Sequence, residues 1–193
     1  MRKIPEKFEN PIDNVLIDIC EYVSPSFHKY GFTPNMITTL SNITAIIVIL
    51  LLLHAKYIWA AIFFILAYFF DCLDGNVARK YNMTTKFGDY YDHVSDITKT
   101  ILILYTMYYI NAEKFFKVIP VIIITAILML IHFGCQEKYY NGEESDTLTF
   151  TKKLCPINLD NKESIENNMK ITRYFGSGTY TIVFALAIVY YDY

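Results

Sequence analysis

At 193 residues with a net charge of −2, the chain is sized for one domain and lacks the bulk basicity of a nucleic-acid binder. Apolar residues make up 54%, aromatics 17% and charged residues only 19%, where a soluble domain carries nearer about 25% charge. The apolar residues gather in long blocks, which points to a bilayer rather than to a water-facing core.

Before the first block, residues 14–23 (NVLIDICEYV) place apolar side chains at roughly helical spacing. That pattern predicts an amphipathic helix, either lying in the membrane interface or capping the bundle as an ordinary soluble helix. No continuous apolar h-region occurs in the first 34 residues, so no cleavable signal peptide is expected.

A span needs about 17–25 apolar residues. The first runs over about 36–53, and His54, Ala55 and Lys56 form a tight turn. The second starts near Tyr57 but is purely apolar only to Phe70, which is too short to cross. Continued through residues 71–78 it becomes long enough, and it then carries acids into the membrane's edge. A third span covers about 90–110, with Asp92, Asp96 and Lys99 in its first half. A fourth runs over 115–133 with Pro120 near its start, where a kink is tolerated. Residues 135–172 turn polar, and a last span covers about 174–191.

The expected fold is all-α: a polytopic transmembrane helical bundle with an N-terminal amphipathic helix at the interface. It has five spans, or six if 135–172 hides a re-entrant piece. One domain is expected over 1–193, with 1–34 cytoplasmic or interfacial and 135–172 a polar cytoplasmic segment. Four cysteines (Cys20, Cys72, Cys135, Cys155) form no C-x-x-C pair, and the spacing predicts neither a zinc site nor a disulfide framework. With the N-terminus inside, inside segments hold 13 Lys and Arg residues, and outside segments hold only Lys56, Lys114 and Lys117. This distribution predicts an integral, multi-pass membrane protein with a cytoplasmic N-terminus and a cytoplasmic junction between the second and third spans.

Residues 71–96 read DCLDGNVARKYNMTTKFGDYYDHVSD. Asp71, Asp74 and Ala78 share one helix face, as do Gly88, Asp92 and Asp96. Four carboxylates meeting at a membrane edge repel unless protons or cations sit among them. Oxygen-only ligands suit Mg²⁺ or Mn²⁺, and four carboxylates suffice for two ions. Gly75 and Gly88 remove side chains beside the acids, Ala78 keeps the face low, and Arg79 offers a fork of donors suited to phosphate.

The pattern D-x-x-D-G-x-x-A-R-x8-G-x-x-x-D-x-x-x-D, filled here at every fixed position, resembles the signature of the CDP-alcohol phosphotransferases. Residues 34–38 (PNMIT) also resemble that family's opening P-N-x-h-T. The resemblance implies a metal-dependent enzyme of phospholipid biosynthesis, in which an alcohol attacks the β-phosphorus of a CDP-linked donor and CMP leaves. By carry-over, Asp71, Asp74, Asp92 and Asp96 are the metal-site residues, and Asp96 is also the catalytic base. Gly75, Ala78, Arg79 and Gly88 accommodate the CDP phosphates. The partners implied are the CDP-linked donor, an alcohol acceptor, membrane lipids and, as often in that family, a second copy of the chain.

Lys99, three residues after Asp96, is a candidate for an acceptor phosphate, although an ion pair with Asp96 is preferred. Arg173 is a candidate for an anionic head group or for snorkelling to the interface. His93 points off the acidic face. Asp92-His93 resembles the choline and ethanolamine branch, which uses a CDP-base and diacylglycerol, but Val94 stands where that branch has glycine. Residues 78–82 and 85–88, with Lys99, resemble the phosphatidylglycerophosphate branch, which uses CDP-diacylglycerol, but His93 replaces its proline. The short chain favours CDP-diacylglycerol as donor. A cation or proton transporter would also use intramembrane aspartates, but leaves Arg79 and the glycines unexplained. A bundle whose acids merely pair with bases leaves the glycines and Ala78 unexplained.

Overall fold

The computed structural model describes residues 4–139, 149–156 and 162–193. Among them it is all-helical. The α-helices are α1 (Pro11–Lys29), α2 (Pro34–Leu53), α3 (Tyr57–Lys80), α4 (Lys86–Ile110), α5 (Ala112–Tyr139), α6 (Lys162–Thr172) and α7 (Ser177–Val189). Short 3-10 helices occupy Glu6–Phe8, Thr149–Leu154, Arg173–Phe175 and Tyr190–Asp192.

The helix starts follow local chemistry. Asn10 caps α1 by accepting from Ile12 N and Asp13 N, with Pro11 in the first turn. Thr33 caps α2 ahead of Pro34. Thr85 caps α4 by accepting from Gly88 N. The predicted 54–56 turn is present, with Ala55 at φ 53°, and Asn82 takes φ 54° in the turn between α3 and α4. Asn tolerates this left-handed conformation better than most residues do.

α3 runs unbroken through Asp71 and Asp74, as length required. Four helical stretches are long and apolar enough to cross a membrane: Pro34–Leu53, Tyr57–Lys80, Ala112–Tyr139 and Lys162–Asp192. The protein is thus a helical, multi-pass membrane protein. The five-span count differs at α4. This helix is 25 residues long, about 37 Å at 1.5 Å per residue, but Asp89, Asp92, Asp96 and Lys99 interrupt its apolar run. The polar 135–172 region also differs in its described parts. α5 continues to Tyr139, and α6 is an eleven-residue helix burying Ile165 and Met169. A re-entrant piece within 140–148 or 157–161, like the basic residues Arg2 and Lys3, lies outside the described residues.

The apolar core sits at the end of the bundle away from the acids. Val48 and Leu52 of α2, Ala60 of α3, Met107 of α4, and Phe184 and Ile188 of α7 are all buried there. Small residues such as Ala60, Ala61 and Ala185 let the helices approach closely. α1 packs on α3 through Cys20, Leu73 and Val77, while Val15, Ile19 and Tyr22 stay exposed on its outer face.

The cysteine expectation is corrected. Cys135 and Cys155 form a disulfide across 20 residues, and Cys20 and Cys72 are free. The turn Thr149–Leu154 folds back onto the end of α5, and the Thr151 carbonyl lies where a side chain at Gly134 would stand. Spacing alone does not report such a fold-back.

Candidate active site

α3 and α4 each pack on α2 and leave a cavity of about 1030 Å³ between them and the remaining helices. The motif-bearing face of α3 opens into it through Asp71, Asp74, Gly75, Ala78 and Arg79. Gly88, Asp92, Asp96 and Lys99 enter from α4. The two acidic faces therefore oppose each other at the cavity, where Asp96 and Lys99 of α4 reach Asp71 of α3.

Carboxylate oxygens of Asp71, Asp74 and Asp92 lie within 4.8 Å of one another. Asp92 Oδ1 is buried without a hydrogen-bond partner, which costs free energy unless a cation meets it. The donor set is all oxygen and the orphan points to a missing positive charge, so these residues fit Mg²⁺ or Mn²⁺. Asp96 is not one of this trio, but its side chain shares a hydrogen bond with Asp71. Its Oδ1 is 2.7 Å from Lys99 Nζ, which also lies 3.3 Å from Asp71 Oδ1 and donates to Ser41 Oγ at 2.8 Å. Lys99 thus bridges the acid of one helix to that of the other.

α2 organises the site by side chains that sequence reasoning left without a role. Thr38 Oγ1 donates to Asp74 Oδ2 at 2.6 Å. Ser41 Oγ donates to the Ala67 carbonyl at 2.8 Å, holding α3, and receives Lys99 from α4. Asn42 Nδ2 donates to Ser95 Oγ at 3.1 Å, and Thr39 Oγ1 lies 3.1 Å from Tyr91 OH. The available signal was four polar residues, Thr38, Thr39, Ser41 and Asn42, crowded into an otherwise apolar span.

The glycines have separate geometries. A Cβ at Gly75 would lie 3.1 Å from Arg79 Nη1, so the guanidinium folds back along α3 over the bare backbone. A Cβ at Gly88 would meet Thr85 Oγ1 at 3.0 Å and Asn35 Oδ1 at 3.2 Å, where the start of α4 touches the start of α2. His93 Nδ1 contacts the Asp89 carbonyl at 2.7 Å, and His93 lines the cavity wall. Arg173 is not among the lining residues; its Nη1 donates to the Lys7 carbonyl.

The far wall comes from outside the motif. Asp13 of α1 is buried and accepts from Tyr68 OH at 2.6 Å, Ser177 Oγ at 3.0 Å and Gly178 N at 3.1 Å. Burial pushes its carboxyl above the usual range, and these three hydrogen bonds pull the other way. Asn10 Nδ2 donates to the Arg173 carbonyl at 2.7 Å and to Thr179 Oγ1 at 2.8 Å, clasping α1 to α7.

The fold and site define a polytopic helical membrane protein with a cluster of acids beside a large cavity. A family profile described as CDP-alcohol phosphatidyltransferase matches residues 32–152, more than half the chain, and covers Asp71, Asp74, Asp92, Asp96 and Lys99. The chain belongs to the CDP-alcohol phosphatidyltransferase family, whose members transfer a phosphatidyl group from a CDP-alcohol. No curated protein and no solved structure gives a significant match.

Proposed function

We propose that the protein transfers a substituted phosphate from a CDP-linked donor to an alcohol, releasing CMP, with CDP-diacylglycerol as donor and a small polar alcohol as acceptor. The observation that carries this reading is the convergence of Asp71, Asp74 and Asp92 within 4.8 Å, on a cavity wall kept low by Gly75 and Ala78. Its volume of about 1030 Å³ lies at the upper end of ordinary ligand sites and has room for two substrates.

Asp71, Asp74 and Asp92 would hold the divalent ions, and two ions suit four carboxylates. Bound there, the metal supplies neutralisation of the pyrophosphate and of charge developing as the P–O bond breaks. Arg79 directs its donors from over Gly75 to phosphate oxygens. Gly88 keeps the start of α4 close to α2, so that Asp92 faces Asp74. Asp96 receives the proton of the acceptor hydroxyl as the new O–P bond forms, and the bond to CMP breaks with its electron pair going to CMP. Lys99 holds the Asp96 carboxylate in place. A carboxylate is a weak base toward an alcohol, so proton transfer is late.

The whole of 1–193 works as one unit in this reading, since α1 and α7 build the far wall. The N-terminus and site face the cytoplasm, supported by the basic residues Lys7, Lys29, Arg79, Lys80 and Lys86 at the site's end of the bundle. α1 lies in the interface with Val15, Ile19 and Tyr22 toward lipid.

The test is donor competition. Membranes containing the protein and Mn²⁺ are given CDP-diacylglycerol or CDP-choline with matching acceptors, and lipid products are read by mass spectrometry. Product from CDP-diacylglycerol alone supports the reading; product from CDP-choline and diacylglycerol alone replaces the donor assignment.

A further inference from the structure

α4 is set against α2 by one polar seam. Asn42 Nδ2 of α2 donates to Tyr91 OH at 3.3 Å and to Ser95 Oγ at 3.1 Å. Each of these α4 residues stands immediately before a site acid, Asp92 or Asp96. Successive residues turn a helix by about 100°. With 91 and 95 on α2, residues 92 and 96 fall about a quarter turn round, where they line the cavity. Tyr90 and Val94, about a quarter turn the other way, are 56% and 59% exposed. Asn42 thus grips both turns of α4 that carry the acids.

Other contacts constrain this rotation less closely. The outer face of α4, with Tyr90, Val94, Ile97 and Ile101, is exposed, and apolar contact with lipid is non-directional. Gly88 meets Asn35 at the start of α4, and Ile103 and Met107 enter the core beyond the acids. Lys99 reaches Ser41 and Asp71 through a long, flexible stem. The demand is nonetheless tight. A carboxylate about 6 Å from the helix axis moves about 1 Å for a rotation of about 10°, while metal–ligand distances tolerate about 0.2 Å.

Stability does not account for the amide. Asn42 Oδ1 is buried with no hydrogen-bond partner among the described residues (the amide orientation is assigned from its two donated bonds). A buried orphan oxygen costs free energy, and leucine at this position would carry none. Tyr91 would keep Thr39 Oγ1 at 3.1 Å.

We propose that Asn42 is a positioning residue of the acidic site: by holding Tyr91 and Ser95 it fixes the rotation of α4 that turns Asp92 and Asp96 toward Asp71 and Asp74. This rests on the metal site proposed above. Asn42 is not among the residues lining the cavity, and it acts only through α4.

The experiment separates positioning from packing. Full-length protein in lipid vesicles is titrated with Mn²⁺ by paramagnetic resonance, with melting temperature and CMP release read alongside. Asn42→Leu should weaken Mn²⁺ binding by about 10–100-fold, the range for groups that orient metal ligands, with the melting temperature unchanged. CMP release should fall with it at limiting Mn²⁺. Tyr91→Phe combined with Ser95→Ala should reproduce the loss, and adding Asn42→Leu to that pair should cost nothing further, because the three side chains act as one unit. Wild-type affinity in folded Asn42→Leu would overturn the inference and leave the metal site standing. A loss of affinity that tracks a fallen melting temperature, or full additivity of the three substitutions, would also overturn it. Absence of Mn²⁺ binding by the wild type would overturn both the inference and the metal site. Affinities that shift as stated, with no CMP released by any form, would support the inference and contradict only the transfer reaction.

Discussion

Thr38 and Asp74 are joined by a 2.6 Å hydrogen bond that ties the opening turn of α2 to the acidic face of α3. Asp74 is buried, so this bond both satisfies a lone pair and aims the carboxylate at Asp71 and Asp92. Groups that orient metal ligands cost about 10–100-fold in metal affinity or activity when removed. Thr38→Val should therefore weaken Mn²⁺ binding within that range while leaving the helical content intact, as measured by paramagnetic resonance titration. Unchanged Mn²⁺ affinity would detach Thr38 from the site.

Lys99 gives a prediction that separates position from charge. Lys99→Met leaves Asp71 and Asp96 facing each other without their shared cation. Turnover should fall steeply, and Lys99→Arg should restore part of it, since a guanidinium can also bridge two carboxylates. A Lys99→Met variant with wild-type turnover would exclude a positioning role for the ion pair.

Two glycines should respond differently to one added methyl. At Gly178 a Cβ would overlap Asp13 Oδ1 and lie 2.8 Å from Ile12 Cβ, both held in a packed joint between α1 and α7. Gly178→Ala should lower stability by about 1–3 kcal/mol, read as a fall in melting temperature. At Gly75 the nearest atoms belong to the mobile end of Arg79. Gly75→Ala should keep the melting temperature and lose activity by displacing the guanidinium. The reverse pattern would contradict the geometry.

Asp13 gives a pH dependence with a definite sign. Burial raises its carboxyl above 3.8, so the fold favours the neutral acid. That contribution is present at low pH and is lost as pH rises past 3.8 and through the folded-state value. The melting temperature of the wild type relative to Asp13→Asn should therefore fall as pH increases over that range. A flat or rising difference would show that Asp13 is not held neutral by its surroundings.

Thiol counting tests the fold-back at the end of α5. Oxidised, unfolded protein should titrate two free thiols, Cys20 and Cys72, and reduction should raise the count to four. The bond lies at the basic end of the bundle, which the positive-inside distribution places in the cytoplasm, where disulfides rarely persist. Reactivity of Cys155 toward an impermeant reagent, with and without reduction in intact cells, reports both the bond and the orientation.

The site's acids were legible because their spacing repeats the helical period, and α3 had to run through Asp71 and Asp74 to be long enough. The close turn at 54–56 was legible from the break between apolar runs. What was hidden depends on distant partners. Thr38 meeting Asp74 spans 36 residues, and Asn10 meeting the Arg173 carbonyl spans 163. No local period encodes either pair. The spacing brought the acids to one membrane edge but did not show what holds their helices. The polar residues of α2 make it the shared partner of α3 and α4, beside the cavity. Arg173 carried a charge at a span end, which fits a ligand site as well as a backbone carbonyl, and only the folded position of Lys7 distinguishes them.

The central claim is that the aspartate cluster performs metal-dependent displacement of CMP. The most direct test is CMP release by purified protein in lipid vesicles, with and without Mn²⁺, comparing wild type with Asp96→Asn. The account predicts release that requires Mn²⁺ and is lost in Asp96→Asn, while Mn²⁺ binding by the variant persists through Asp71, Asp74 and Asp92. Equal release by the variant, or none by a wild-type protein that binds Mn²⁺, would contradict it.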